Sequence, residues 1–108
     1  MDTFHFSKPA LTAIVSPTLV GCVSSGDLEV MIEPNTNNQL EVTIQTAATG
    51  NEIRWHQIFD RLETVKKLPA MKMDIHDFSA TPGVVRLRIE QALEQALTNG
   101  EYQDDQHE

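Results

Sequence analysis

At 108 residues and a formal net charge of −8, the chain can bury one core, and its acidity argues against nucleic acid as the main partner, because phosphate binding needs clustered Lys and Arg. No apolar run approaches the ~20 residues of a membrane span, and Met1 to Phe6 lacks the basic-then-apolar layout of a secretory signal. A single cysteine, Cys22, excludes an internal disulfide and a cysteine-based zinc site and fits a reducing, cytoplasmic setting.

In chain order, Phe4 and Phe6 alternate with His5 as in a short strand, and Pro9 and Pro17 break the segment that follows into loop. Val20 to Val23 reads as the first clear strand, with Cys22 a small buried or half-buried residue in it. Leu28, Val30 and Ile32 then alternate with Glu29 and Glu33 in a second strand. Between these two lie Ser24-Ser25-Gly26-Asp27, a tight-turn signal in which Gly26 offers a positive φ and Asp27 or the serines bond nearby backbone. Pro34 to Asn38 marks another turn. Leu40, Val42, Ile44 and Thr46 give the next strand one dry face.

Trp55, Ile58, Phe59, Leu62 and Val65 recur at three- and four-residue intervals, the stripe of an amphipathic helix. Glu52 stands near its start, with Lys66 and Lys67 at its expected end. Met71, Met73 and Ile75 alternate in a further strand. Thr81-Pro82 reads as an N-cap followed by proline in the first helical position. From there Val85, Ile89, Ala92, Leu93, Ala96 and Leu97 form a second helical stripe, with Asn99-Gly100 as its expected stop.

The predicted order is therefore βββαβα, an α+β two-layer sandwich. About four mainly antiparallel strands form a sheet covered on one face by two helices. Residues 1–100 make the single domain. Residues 101–108, with Glu101, Asp104, Asp105 and Glu108, form an acidic tail expected to be disordered.

Little in the chain looks like chemistry of its own. The four histidines have no HxH or HxxxH spacing, so no metal is expected. A GxSxG elbow, a GxGxxG and a phosphate-binding loop are all missing from the sequence. His76 beside Asp77 is the nearest thing to a catalytic pair, and nothing adjacent supplies a pocket. The turn presents two hydroxyls, Ser24 and Ser25, on a short constrained loop where another enzyme can reach them. An ordinary structural turn in a protein-interaction module is the plainer alternative.

Ser24 to Val30 and the block Ile75-His76-Asp77-Phe78-Ser79-Ala80-Thr81-Pro82-Gly83-Val84-Val85, continued to Ala92, resemble the acyl carrier subunit of bacterial malonate decarboxylase. Arg54-Trp55 and Phe59-Asp60-Arg61-Leu62 extend the likeness, which runs over residues 4–97. The resemblance implies that Ser25, the residue directly before Gly-Asp, carries 2′-(5″-phosphoribosyl)-3′-dephospho-CoA through a phosphodiester, with Ser24, Gly26 and Asp27 supporting the turn. It also implies a non-catalytic subunit whose acetyl and malonyl groups ride as thioesters on that group. The implied partners are an acetyl/malonyl transferase subunit, decarboxylase subunits, the prosthetic-group transferase and a malonyl-loading transferase. The carrier subunit of citrate lyase, with its own Ser-Gly-Asp turn, is the nearest rival. Ser79 stands where that block usually has glycine, which implies a backbone there that needs no glycine.

Overall fold

Alternation along the strands decides which way the sheet faces. The computed structural model describes residues 2–47, 52–65 and 67–105, with five strands and two helices in the order ββββαβα. These are β1 (Asp2–Pro9), β2 (Thr18–Gly21), β3 (Asp27–Pro34), β4 (Gln39–Thr46), α1 (Glu52–Val65), β5 (Met71–Phe78) and α2 (Pro82–Asp105). Across the sheet the strands run β1-β4-β5-β3-β2. Leu28, Val30 and Ile32, Leu40, Val42 and Ile44, and Met71, Met73 and Ile75 are all buried on one face. Their alternates, Glu29, Met31, Thr43, Lys72, Asp74 and His76 among them, are exposed or half-buried on the other.

The α+β sandwich expected from the sequence is the observed architecture, with two refinements. The Phe4/Phe6 segment is a full edge strand of eight residues, paired antiparallel to β4 from Asp2↔Thr46 to Pro9↔Gln39. The sheet is also mixed: β4 and β5 are parallel, Leu40↔Met71 to Thr46↔Asp77, while the other three pairings are antiparallel. The parallel pair follows from α1, because a helix between two strands returns the chain to the end at which the first began.

The helices divide the apolar face between them. α1 covers the β1–β4 side through Trp55, Phe59 and Leu62, with Phe59 edge-on to Phe6 at 5.3 Å. Lys8 of β1 binds Asp60 at 3.0 Å and Glu63 at 2.7 Å, which turns the acidic flank of α1 toward that edge. α2 lies over β3 and β2. All six residues of its expected stripe are buried, and Arg86 and Glu90 pair on its wet side at 3.5 Å.

The helix ends differ from expectation. α1 finishes at Val65, before Lys67, and Lys66 is outside the described residues. α2 does not stop at Asn99-Gly100 but runs to Asp105, since an interior glycine weakens a helix by only about 1 kcal/mol. Residues 101–105 of the tail thus continue the helix, while 106–108 fall outside the described residues. Neither helix, among the described residues, is long and apolar enough to cross a membrane.

Parallel β4 and β5 bring their C-terminal ends together, and antiparallel β3 begins at the same end, with Asp27 opposite Phe78. The starts of α1 and α2 follow these strand ends. The Ser24–Asp27 turn and both helix N-termini therefore share one end of the molecule, the end where ligands gather in sheets with parallel strands.

Candidate functional site

Gly21 ends β2. Its φ is +102°, and an added Cβ would stand 1.9 Å from the carbonyl oxygen of Leu28, a backbone approach that glycine alone permits. The strand consequently closes two residues earlier than the sequence predicts. Cys22 and Val23 belong to an exposed loop, and the expected burial of Cys22 is not observed because no sheet face is left to hold it.

Within that loop the turn is well defined. The Ser24 carbonyl accepts from Asp27 N–H at 3.1 Å, so Ser25 and Gly26 are the corners of a β-turn. Gly26 has φ +83° while Ser25 does not enter the positive-φ region, the pattern of a type II turn. Ser24 N–H donates to the Cys22 carbonyl at 3.0 Å, and Gly26 N–H donates to the Phe78 carbonyl at 2.7 Å, fixing the tip to the end of β5. Both serines are exposed. Ser24 commits both backbone polar groups to the turn, whereas Ser25 makes no hydrogen bond among the described residues. A Cβ added at Gly26 would meet nothing within 4 Å, so the space beside Ser25 is open.

Asp27 secures the base of the turn. Its Oδ1 accepts from Leu28 N–H at 2.7 Å and from Arg88 Nε at 2.9 Å, and its Oδ2 accepts from an Arg88 terminal nitrogen at 3.1 Å. This bidentate pair ties β3 to α2, and Arg88 is held in turn by Gln91 at 3.1 Å. The Arg88 guanidinium, and then the Leu28 N–H, hold the Asp27 carboxyl below the ordinary carboxylate range; the same contact raises Arg88. Sequence reasoning gave Arg88 no role. The pair spans 61 positions, and no local pattern in a single chain links residues so far apart.

The block after β5 is a second support. Asp77 continues the buried face, where its Oδ2 accepts from the Thr46 hydroxyl at 2.8 Å and its Oδ1 from Ala80 N–H at 2.9 Å. His76 points to the opposite face, 3.7 Å from Glu29 Oε1. Adjacent strand residues face opposite ways, so His76 and Asp77 form no catalytic pair. Ser79 overturns one expectation: its φ is +67°, inside the left-handed region that favours glycine. Serine occupies a glycine-type conformation there, stabilised by the Asp77–Ala80 bond that spans it. Thr81 caps α2 as predicted, with Val84 N–H 3.4 Å from its hydroxyl and Val85 N–H 2.9 Å from its carbonyl.

Residues 15–96, which take in the turn, Arg88 and the Asp77–Thr81 block, match the protein family described as "Malonate decarboxylase delta subunit (MdcD)". The chain belongs to the malonate decarboxylase delta-subunit family. Malonate decarboxylase acyl carrier proteins of Pseudomonas putida and Azotobacter vinelandii are 53% and 47% identical to it over 95 residues, each match spanning 88% of this chain and 96% of the relative. The fold is equally close to a chain in the crystal structure of a Pseudomonas malonate decarboxylase hetero-tetramer in complex with malonate. That likeness has a TM-score of 0.83 at 48% identity and covers 88% of this chain and 98% of the other. The family match therefore spans β2 to α2, not the turn alone.

Proposed function

We propose that this chain is the acyl carrier subunit of a malonate decarboxylase, working within a complex of transferase and decarboxylase subunits, and that Ser25 is where its prosthetic group is attached. The observation that carries this reading is the Ser25 hydroxyl: exposed, uncommitted and at the corner of a turn fixed on both sides, in a chain of this family.

The residues fit 2′-(5″-phosphoribosyl)-3′-dephospho-CoA. A phosphodiester needs a primary hydroxyl with room for phosphorus to approach in line, and the open side of Gly26 leaves that room. When bound, the group supplies a terminal thiol that carries the acyl unit as a thioester. The chain's own contribution is positional. Gly26 N–H on Phe78 and Asp27 on Arg88 keep the attachment point in place relative to the sheet, so the reach of the arm is set by the arm itself. A small rigid body with one tethered group raises the local concentration of that group at each partner's site.

Coexpression with the prosthetic-group synthase and transferase tests the assignment by intact mass. Wild type and Ser24→Ala are expected to gain the mass of the group, and Ser25→Ala to remain unmodified. Folding of Ser25→Ala should stay within ~0.5 kcal/mol of wild type, because an exposed turn hydroxyl without partners contributes little. An unmodified wild type, under conditions that modify a known carrier, would refute the reading.

A further inference from the structure

Outside the turn, the described residues form a groove that runs along the body of α1 and meets the first turns of α2. α1 contributes Arg54, Ile58, Arg61 and Leu62, and α2 contributes Pro82, Gly83 and Arg86. Its two outer lobes enclose about 240 Å³ each, and a smaller inner pocket of about 60 Å³ reaches Trp55, Asp77 and Ala80. The floor is apolar and the rim is cationic. Three of the four arginines of a chain with net charge −8 converge here.

These arginines are available. Arg54 and Arg61 are exposed and make no ion pair among the described residues, and Arg86 meets Glu90 only at 3.5 Å with half of each side chain exposed. The nearest other acid, Asp77, has both oxygens occupied by Thr46 and Ala80. Of the three acids of α1, Asp60 and Glu63 are turned away to Lys8, and Glu52 faces His56 at 3.6 Å. The N-terminus of α2 adds positive potential at Pro82 and Gly83.

We propose that this groove is a resting site for the diphosphate of the arm carried on Ser25. The inference rests on the Ser25 assignment. The groove's inner end reaches Asp77, next to Phe78, whose carbonyl anchors Gly26. Arg88, toward the turn, and Arg86, toward the groove, lie on opposite sides of the first turns of α2. The arm thus has one helix to cross, roughly 10 Å wide, and its diphosphate stands two sugars beyond the attachment phosphate. The crossing passes Gly83, where an added Cβ would meet nothing within 4 Å. The chain's own acidic C-terminus is excluded as the occupant. α2 runs 24 residues from Pro82, about 36 Å at 1.5 Å per residue, which carries Asp105 to the far end of the molecule.

The test compares amide NMR spectra of the unmodified and modified protein, wild type and Arg54→Gln/Arg61→Gln. Intact mass on the same samples reports whether Ser25 is loaded, so loss of the attachment is read separately from loss of docking. The expected result is that loading shifts Ile58, Arg61, Gly83 and Arg86 as well as residues 22–27. In the double variant, with the same added mass and a dispersed native spectrum, the groove shifts should fall to less than a third. Shifts confined to residues 22–27 in fully loaded wild type would overturn the inference. Groove shifts that appear only when a partner subunit is added would do so as well, and would assign the groove to that partner.

Discussion

Two glycines five positions apart do different work in presenting Ser25. At Gly21 a side chain would collide with the Leu28 backbone, whereas at Gly26 it would enter open space and bear only the strain of φ +83°. Gly21→Ala is therefore expected to destabilise the fold by about 3 kcal/mol or more, and Gly26→Ala by about 1 kcal/mol. Urea denaturation of the two variants checks the ranking, and equal losses would contradict it. Ser79 presents the converse case. With φ +67° and an exposed side chain, Ser79→Gly should raise stability by about 0.5 kcal/mol, the relief of left-handed strain outweighing the added freedom of the unfolded chain. A loss on the same titration would mean that the hydroxyl contributes more than its backbone costs.

Elements hold the turn through Asp27 and Arg88, and this link is pH-dependent. Arg88 and the Leu28 N–H lower the Asp27 pKa in the folded state. The contribution is thus fully present above the unfolded value of about 3.9 and is lost as pH falls through the lower folded one. Wild type should exceed Asp27→Asn in stability by a constant margin from pH 7 to about pH 5, and the margin should shrink as the pH falls below about 4. Urea midpoints at pH 7, 5 and 3 measure it, and a margin that does not change with pH would contradict the ion-pair account.

The elements were also the most legible part of the sequence. Alternation at Leu28–Ile32, Leu40–Thr46 and Met71–Ile75 and the two helical stripes located three strands and both helices, because each buries one face against the same core. The turn was readable from Ser-Gly-Asp for the same local reason. What escaped was long-range or conformational. The parallel β4–β5 pairing depends on the path of α1, the Asp27–Arg88 pair joins distant positions, and the groove needs both helices in place. Gly21 read as an ordinary strand residue, since nothing in its neighbours announces how close Leu28 will come. Asn99-Gly100 had the composition of a helix stop, yet the helix passes through it.

At the scale of the whole molecule, the sandwich places Ser25 and both helix N-termini at one end, beside the arginine-rimmed groove, and leaves the other sheet face mostly polar, with Leu19, Met31 and Phe78 as exceptions. In the proposed role such a body would have no need to change shape to serve several partners, since a tethered group would do the travelling. The carrier role depends on a group being attached at Ser25. Fragmentation mass spectrometry of the peptide spanning residues 21–27, taken from the protein purified in its native complex, measures this directly. The expected result is the phosphoribosyl-dephospho-CoA mass on Ser25 with Ser24 unmodified. The same mass on Ser24, or a bare peptide from an active complex, would contradict it.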